Sequence, residues 1–167
     1  MKLKLVCVAF SVVVVFLISA CANDTTDESS QNMRTEPYRV ALEELISIDT
    51  ALNANMEYIS LVLNEAIPLE DSEREVIESY LKQQYNVPIY NYTHEQLLEQ
   101  KYAEQGGTKL KGILLTIEKC KQSDDPNEMM LEVSKYRANE GAIALEMILT
   151  YQEGQWGISD YVSERES

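Results

Sequence analysis

Basic residues are scarce in this chain. Lys and Arg number 14 against 28 Asp and Glu, for a formal net charge of −14 and a pI near 4.4. A nucleic-acid binder needs a basic stripe to neutralise phosphates, so that class is set aside. Cysteine is scarce too: three in 167 residues are too few for a disulfide scaffold. A single histidine, His94, has no second His or Cys at a metal-ligand spacing. No C-x-x-C, G-x-S-x-G or phosphate-cradling glycine loop occurs. No apolar run reaches the ~20 residues of a spanning helix. A mean hydropathy of −0.26 with 45% hydrophobic residues excludes a polytopic membrane protein and a wholly disordered chain alike.

What the chain does carry begins at its start. Met1-Lys2-Leu3-Lys4 is a short positive region, and an apolar run from Leu5 to Leu17 follows, broken only by Ser11. That length and those flanks match a secretory signal. Leu17-Ile18-Ser19-Ala20-Cys21 resembles the lipobox of bacterial lipoproteins. The resemblance implies that Cys21 is acylated through its sulfur and that a peptidase cuts before it, removing residues 1–20. The alternative is an ordinary signal-peptidase site at Ala20-Cys21-Ala22, with cleavage after Ala22 and a secreted soluble product.

Removing residues 1–20 takes both phenylalanines, Phe10 and Phe16, and Cys7. The core must then be built from Leu, Ile, Val, Met and tyrosine rings. With Cys21 acylated, Cys120 has no disulfide partner within the chain. The remaining residues, about 147, can bury roughly 70% of the unfolded surface, enough for one core.

Residues 21–36 are the lipidated Cys and a polar stretch without an apolar period, which reads as a flexible tether. Residues 37–167 read as one α+β domain. Pro37 suits a first helical position, and Val40, Ala41, Leu42, Leu45 and Ile46 follow at helical spacing. Residues 50–67 fit either a helix or an extended segment. Ser72-x-x-Glu75 predicts a capping box for a helix ending at Asn86, before Val87-Pro88. Val87 to Tyr92 reads as a short strand, and Thr93-x-x-Gln96 opens a second, shorter helix.

Every glycine lies from Gly106 onward, and there the period changes to two. Ile113/Leu115/Ile117, Leu131/Val133, Ile143/Leu145/Met147/Leu149 and Trp156/Ile158 each alternate with outward residues. Turn residues separate them at 123–126, 138–141 and 152–154. Four strands with short loops predict an antiparallel meander, with N-terminal helices packed on one face. Trp156 and Ile158 are expected against the helix that starts at Ser72, through Ile77 and Leu81.

The closing segment Tyr151…Gly154-Gln155-Trp156-Gly157-Ile158 resembles the last hairpin of cystatin-like and NTF2-like cone domains. The tract Ser134-Lys135-Tyr136-Arg137-Ala138-Asn139-Glu140-Gly141-Ala142-Ile143 is similar to that of small, uncharacterised lipoproteins of Gram-positive bacteria. These resemblances imply a layout and no established activity.

Candidate chemistry is thin. His94 reads as a surface histidine, and the acidic runs Glu43-Glu44, Glu70-Asp71 and Asp124-Asp125 as solvated faces. Cys120 lies between Lys119 and Lys121, which could favour a thiolate, but it also fits as a small strand residue. Tyr136, Arg137, Trp156 and Asp160 are the candidates for a pocket or partner contact. The leading expectation is a lipid-anchored, non-enzymatic binding module on the extracytoplasmic face of the cell membrane, needing no cofactor or metal. Its acidity favours a cationic peptide or protein as partner. The competing readings are a cone-fold enzyme using Asp160 in a pocket and the binding component of a transporter, for which the chain is short.

Overall fold

The computed structural model describes residues 24–166, with side chains from Ser30. The expected signal segment 1–20, the expected acylation site Cys21 and the start of the expected tether lie outside the described residues. The first helix, α1, spans Asp24–Ser47. It is followed by a 3-10 turn (Thr50–Asn53), β1 (Ile59–Leu63), α2 (Asp71–Tyr85), β2 (Ile89–Tyr90) and α3 (His94–Glu99). Four long strands complete the chain: β3 (Ile113–Gln122), β4 (Glu128–Ala138), β5 (Gly141–Gln152) and β6 (Gln155–Glu166). No helix among the described residues is long and apolar enough to cross a membrane.

The tether reading fails for residues 24–36, which are helical, and Pro37 sits inside α1 rather than at its start. This stretch lacks an apolar period because polar groups dock it. Gln31 Nε2 donates to Ser72 Oγ (3.4 Å), and Arg34 Nε pairs with Glu73 (2.8 Å). Pro37 supplies no N–H to the preceding turn. In that turn Thr35 Oγ1 donates to the carbonyls of Gln31 (2.9 Å) and Asn32 (3.2 Å). From Tyr38 onward the helix is amphipathic. Tyr38, Ala41, Leu42, Leu45 and Ile46 recur at i, i+3, i+4, i+7 and i+8, and all are buried.

Helix α2 begins two residues earlier than the Ser72 box implies. The box is Glu70–Glu73: Glu70 N–H donates to Glu73 Oε2 at 2.8 Å, and the buried Glu73 carboxylate also holds Arg34. That start still turns Ile77 and Leu81 into the core. The helix stops at Asn86, whose φ of 54° is left-handed. The Thr93–Gln96 box on α3 forms as read: Thr93 N–H donates to Gln96 Oε1 at 2.9 Å.

The class is α+β, but the sheet is mixed and six-stranded, in the order β2-β1-β3-β4-β5-β6. The expected meander is there as β3–β6, all antiparallel. Two parallel strands extend it: β1 pairs with β3 and with β2. β1 comes from the stretch 50–67 that fitted both periods, and β2 from Val87–Tyr92, which read as a short strand. Extended pairing resolves β1 into an inward set, Ile59, Leu61 and Leu63, and an outward set, Tyr58, Ser60 and Val62. A parallel partner needs a crossover, and α2 supplies it between β1 and β2. Gly112 is where the β3 lead-in passes closest to β1, because a Cβ there would lie 2.2 Å from Tyr58 O.

The core lies between the α1 stripe, α2 and the inward sheet face, from Ile59 and Leu61 through Ile113 and Leu115 to Leu131, Val133, Leu145 and Met147. A smaller cluster of Tyr58, Leu97, Leu110 and Leu114 forms on the opposite face under α3. Strand β4 keeps its period to the end, so Lys135 and Arg137 also point into the core. Both are held by carbonyls. Lys135 Nζ donates to Ile46 O (3.4 Å), Asp49 O (3.3 Å) and Ile48 O, just where α1 presents its negative dipole end. Arg137 donates to Leu52 O (2.5 Å), Ala54 O (2.7 Å) and Leu110 O (3.3 Å).

Burial pulls the Lys135 pKa down to about 8, against the opposing pull of Asp49. An unfolded lysine titrates near ~10.4. Between those values the unfolded chain binds a proton that the folded chain has released, so this group makes stability rise with pH. Burial pushes Tyr58 up to about 12, and a hydrogen bond to Glu43 or Glu44, with burial second, does the same to Tyr80 and Tyr161, so stability falls as pH passes the ordinary tyrosine value. Urea unfolding of wild type and Lys135→Met from about pH 7.5 to 9.5 isolates the lysine. The wild type is expected to gain on the variant as pH rises. A difference that stays constant contradicts a buried, titrating amine.

Candidate functional site

The four residues singled out for a site are not brought together. Tyr136 lies on the outward face, its ring 4.7 Å from that of His94, and its hydroxyl donates to Asn139 Oδ1 at 3.0 Å. Arg137 faces the other way and is committed to backbone carbonyls. Asp160 is exposed on β6 and accepts from Tyr161 N–H at 2.9 Å. Among the described residues, no group of three His, Cys, Asp or Glu side chains is placed to hold a metal ion.

Trp156 is the exception, and its surroundings differ from those expected. It and Ile158 are half-buried at the border of the core rather than sealed against Ile77 and Leu81. The helix facing β6 is α1, because α1 rather than α2 lies over the β4–β6 side of the sheet. Trp156 lines an open recess of about 410 Å³. Four chain segments wall it: the Pro37 turn of α1 with Met33 and Tyr38, the Pro68-Leu69 link, the β3–β4 turn, and the β5–β6 hairpin.

Local sequence chemistry places each wall. Glu153 (φ 53°) and Gly154 (φ 88°) make a two-residue turn with both φ positive, the geometry whose twist suits a hairpin. That turn sets Tyr151 directly opposite Trp156, with ring centroids 5.7 Å apart. In the β3–β4 turn, Asp125 Oδ1 accepts from Asn127 N–H at 2.8 Å, and Asp125 O accepts from Glu128 N–H at 3.0 Å. Tyr151 N–H then donates to Asn127 O at 2.8 Å, tying the two hairpin tips together. Three of the chain's four prolines line the recess, so much of its backbone is already restricted before any ligand arrives.

The lining is mostly apolar and aromatic. Tyr38 is buried to 3% exposure, with its hydroxyl 3.5 Å from Cys120 Sγ. Burial first, and that contact second, raise its pKa well above the ordinary tyrosine value, so it stays neutral. Cys120 is accordingly a half-buried strand residue beside a tyrosine. The neighbouring Lys119 is engaged elsewhere, with Glu132 at 2.6 Å. Arg34 is the one charged side chain in the lining, and its Nε is held by Glu73.

Sequence reasoning missed Tyr38, Met129 and Tyr151. Tyr38 is three residues before Ala41 in the stripe. Met129 extends the Leu131/Val133 period two residues back, and Tyr151 follows from the two-residue turn. Comparison with known proteins finds no match: no family model, no curated protein and no solved structure.

A half-buried Trp156 carries less of the fold than a sealed one would. Trp156→Ala is expected to cost about 1–2 kcal/mol, against about 2–5 kcal/mol for Leu131→Ala in the sealed core. Denaturant unfolding of the two variants checks the order. Equal losses would place Trp156 in the core and close the recess as a site.

Proposed function

We propose that this chain is a lipid-anchored extracytoplasmic protein, acylated at Cys21, whose folded part is a non-enzymatic binding module. The observation that carries the binding reading is the recess. It has an apolar, aromatic lining, walls braced by prolines and hairpin turns, and an accessible tryptophan edge. Its volume lies in the range of ~300–1,000 Å³ common for ligand sites, and a mostly apolar lining with few polar groups is the usual composition of such sites. Met33 and Met129 add unbranched, polarizable side chains that adapt to different shapes. The anchor rests on the lipobox-like Leu17–Cys21 tract.

The two parts have separate tests. Cell fractionation is expected to find the protein with membranes, and Cys21→Ser to release it or leave it unprocessed. A soluble wild-type product with an unmodified N-terminus at Asn23 contradicts the anchor. For the recess, Trp156 is the only tryptophan, so its emission reports on the site alone. Titration with the neutral dye Nile red is expected to change that emission saturably, and Trp156→Ala to weaken dye binding about tenfold. Dye binding that survives the substitution undiminished contradicts the assignment.

A further inference from the structure

We infer that the partner of this recess is a cationic, partly apolar peptide segment, an inference that rests on reading the recess as the binding site. Its lining is uncharged apart from the paired Arg34, and acidic residues adjoin that lining in all four wall segments. Glu36 adjoins Pro37 on α1. Glu70 and Asp71 follow Leu69. Asp124 and Asp125 lead into Pro126, and Glu153 sits in the turn between Tyr151 and Trp156. Glu36 is half-buried and the others are exposed. These six belong to four separate chain segments, each of which contributes to the lining of the recess.

The bases nearby do not balance them. Arg34 is paired with Glu73 at 2.8 Å. Arg39, next to Tyr38, is turned away over the Tyr80 ring, 4.5 Å from its centroid. Lys121 remains, one cation against six carboxylates. Rim charges of one sign set the encounter rate and reject wrong partners, while the apolar floor supplies most of the affinity. A ligand that suits both puts leucine- or phenylalanine-like side chains on the floor and lysine or arginine at the rim. Exposed aromatic edges at Trp156 and Tyr151 also suit a cation. An anionic lipid head would be repelled. So would a second copy of the chain, which carries the same net charge of −14.

The test compares three peptides of equal length, alternating leucine with lysine, serine or glutamate, read by Trp156 emission and by displacement of Nile red. The leucine–lysine peptide is expected to bind at least about tenfold tighter than the leucine–serine peptide, and the leucine–glutamate peptide not to bind. Its affinity should fall as salt shortens the screening length from about 10 Å at 0.1 M to about 3 Å at 1 M. The variant Asp124→Asn/Asp125→Asn/Glu153→Gln should bind it about tenfold more weakly while still binding Nile red. Glu140→Gln, in the turn at the opposite end of the hairpins, should change nothing. Equal binding of the lysine and serine peptides, or an affinity untouched by salt and by the triple variant, overturns the inference and leaves the recess standing. Loss of Nile red binding as well as peptide binding in the wild type removes the recess reading itself.

Discussion

The apolar stripe of α1, from Tyr38 to Ile46, lies across the inward faces of β4, β5 and β6, and the other contacts are arranged around that crossing. Each fully buried Leu or Ile in such a contact contributes about 1.5–3 kcal/mol, so these few residues fix where the helix can sit. At one end, the last carbonyls of α1 meet Lys135, a cation where the helix dipole is negative. At the other end the stripe stops at Tyr38. The preceding turn, with Met33 and Pro37, overhangs the hairpin tips without filling the space beneath. The recess is therefore a consequence of where the stripe ends.

The two ends of the hairpins are handled differently. At the Lys135 end, two buried cations satisfy six backbone carbonyls, five from the end of α1 and its link to β1 and one from Leu110 before β3. At the Trp156 end the turns satisfy their own backbone through Asp125 and the Tyr151–Asn127 bond. Side chains there are left free to line a surface. Buried polar groups must be paired, and here the buried cations with their carbonyls sit at one end of the hairpins and the apolar, aromatic lining at the other.

The sheet was legible where period two was unbroken. All four long strands lie at the alternating segments, and the turn residues fall between them. Of the two parallel strands, β2 lies in the Val87–Tyr92 stretch that read as a strand, and β1 was not legible. Five residues, Ile59–Leu63, fit two periods, and only their partners decide. Polar helix was also invisible: residues 24–36 carry no apolar stripe, and what holds them is the Arg34–Glu73 pair on a helix far along the chain. Arg137 read as a candidate for a pocket or partner contact, and the Leu131/Val133 period was not followed on to Lys135 and Arg137, which it points inward. Of the site, Trp156 was found and its setting was not. That setting is made by four segments that only tertiary structure brings together.

The most direct measurement of the central claim uses the methionines, which are distributed usefully. Met33 and Met129 line the recess, Met147 is sealed in the core, and Met130 faces the opposite side of the sheet. With ¹³C-methyl methionine labelling, NMR during titration with Nile red reads all of them at once. The account predicts that the Met33 and Met129 methyl resonances move together and saturate with the dye, while those of Met130 and Met147 stay in place. Movement of Met130 with Met33 and Met129 unmoved would put binding on the other face of the sheet and contradict the account.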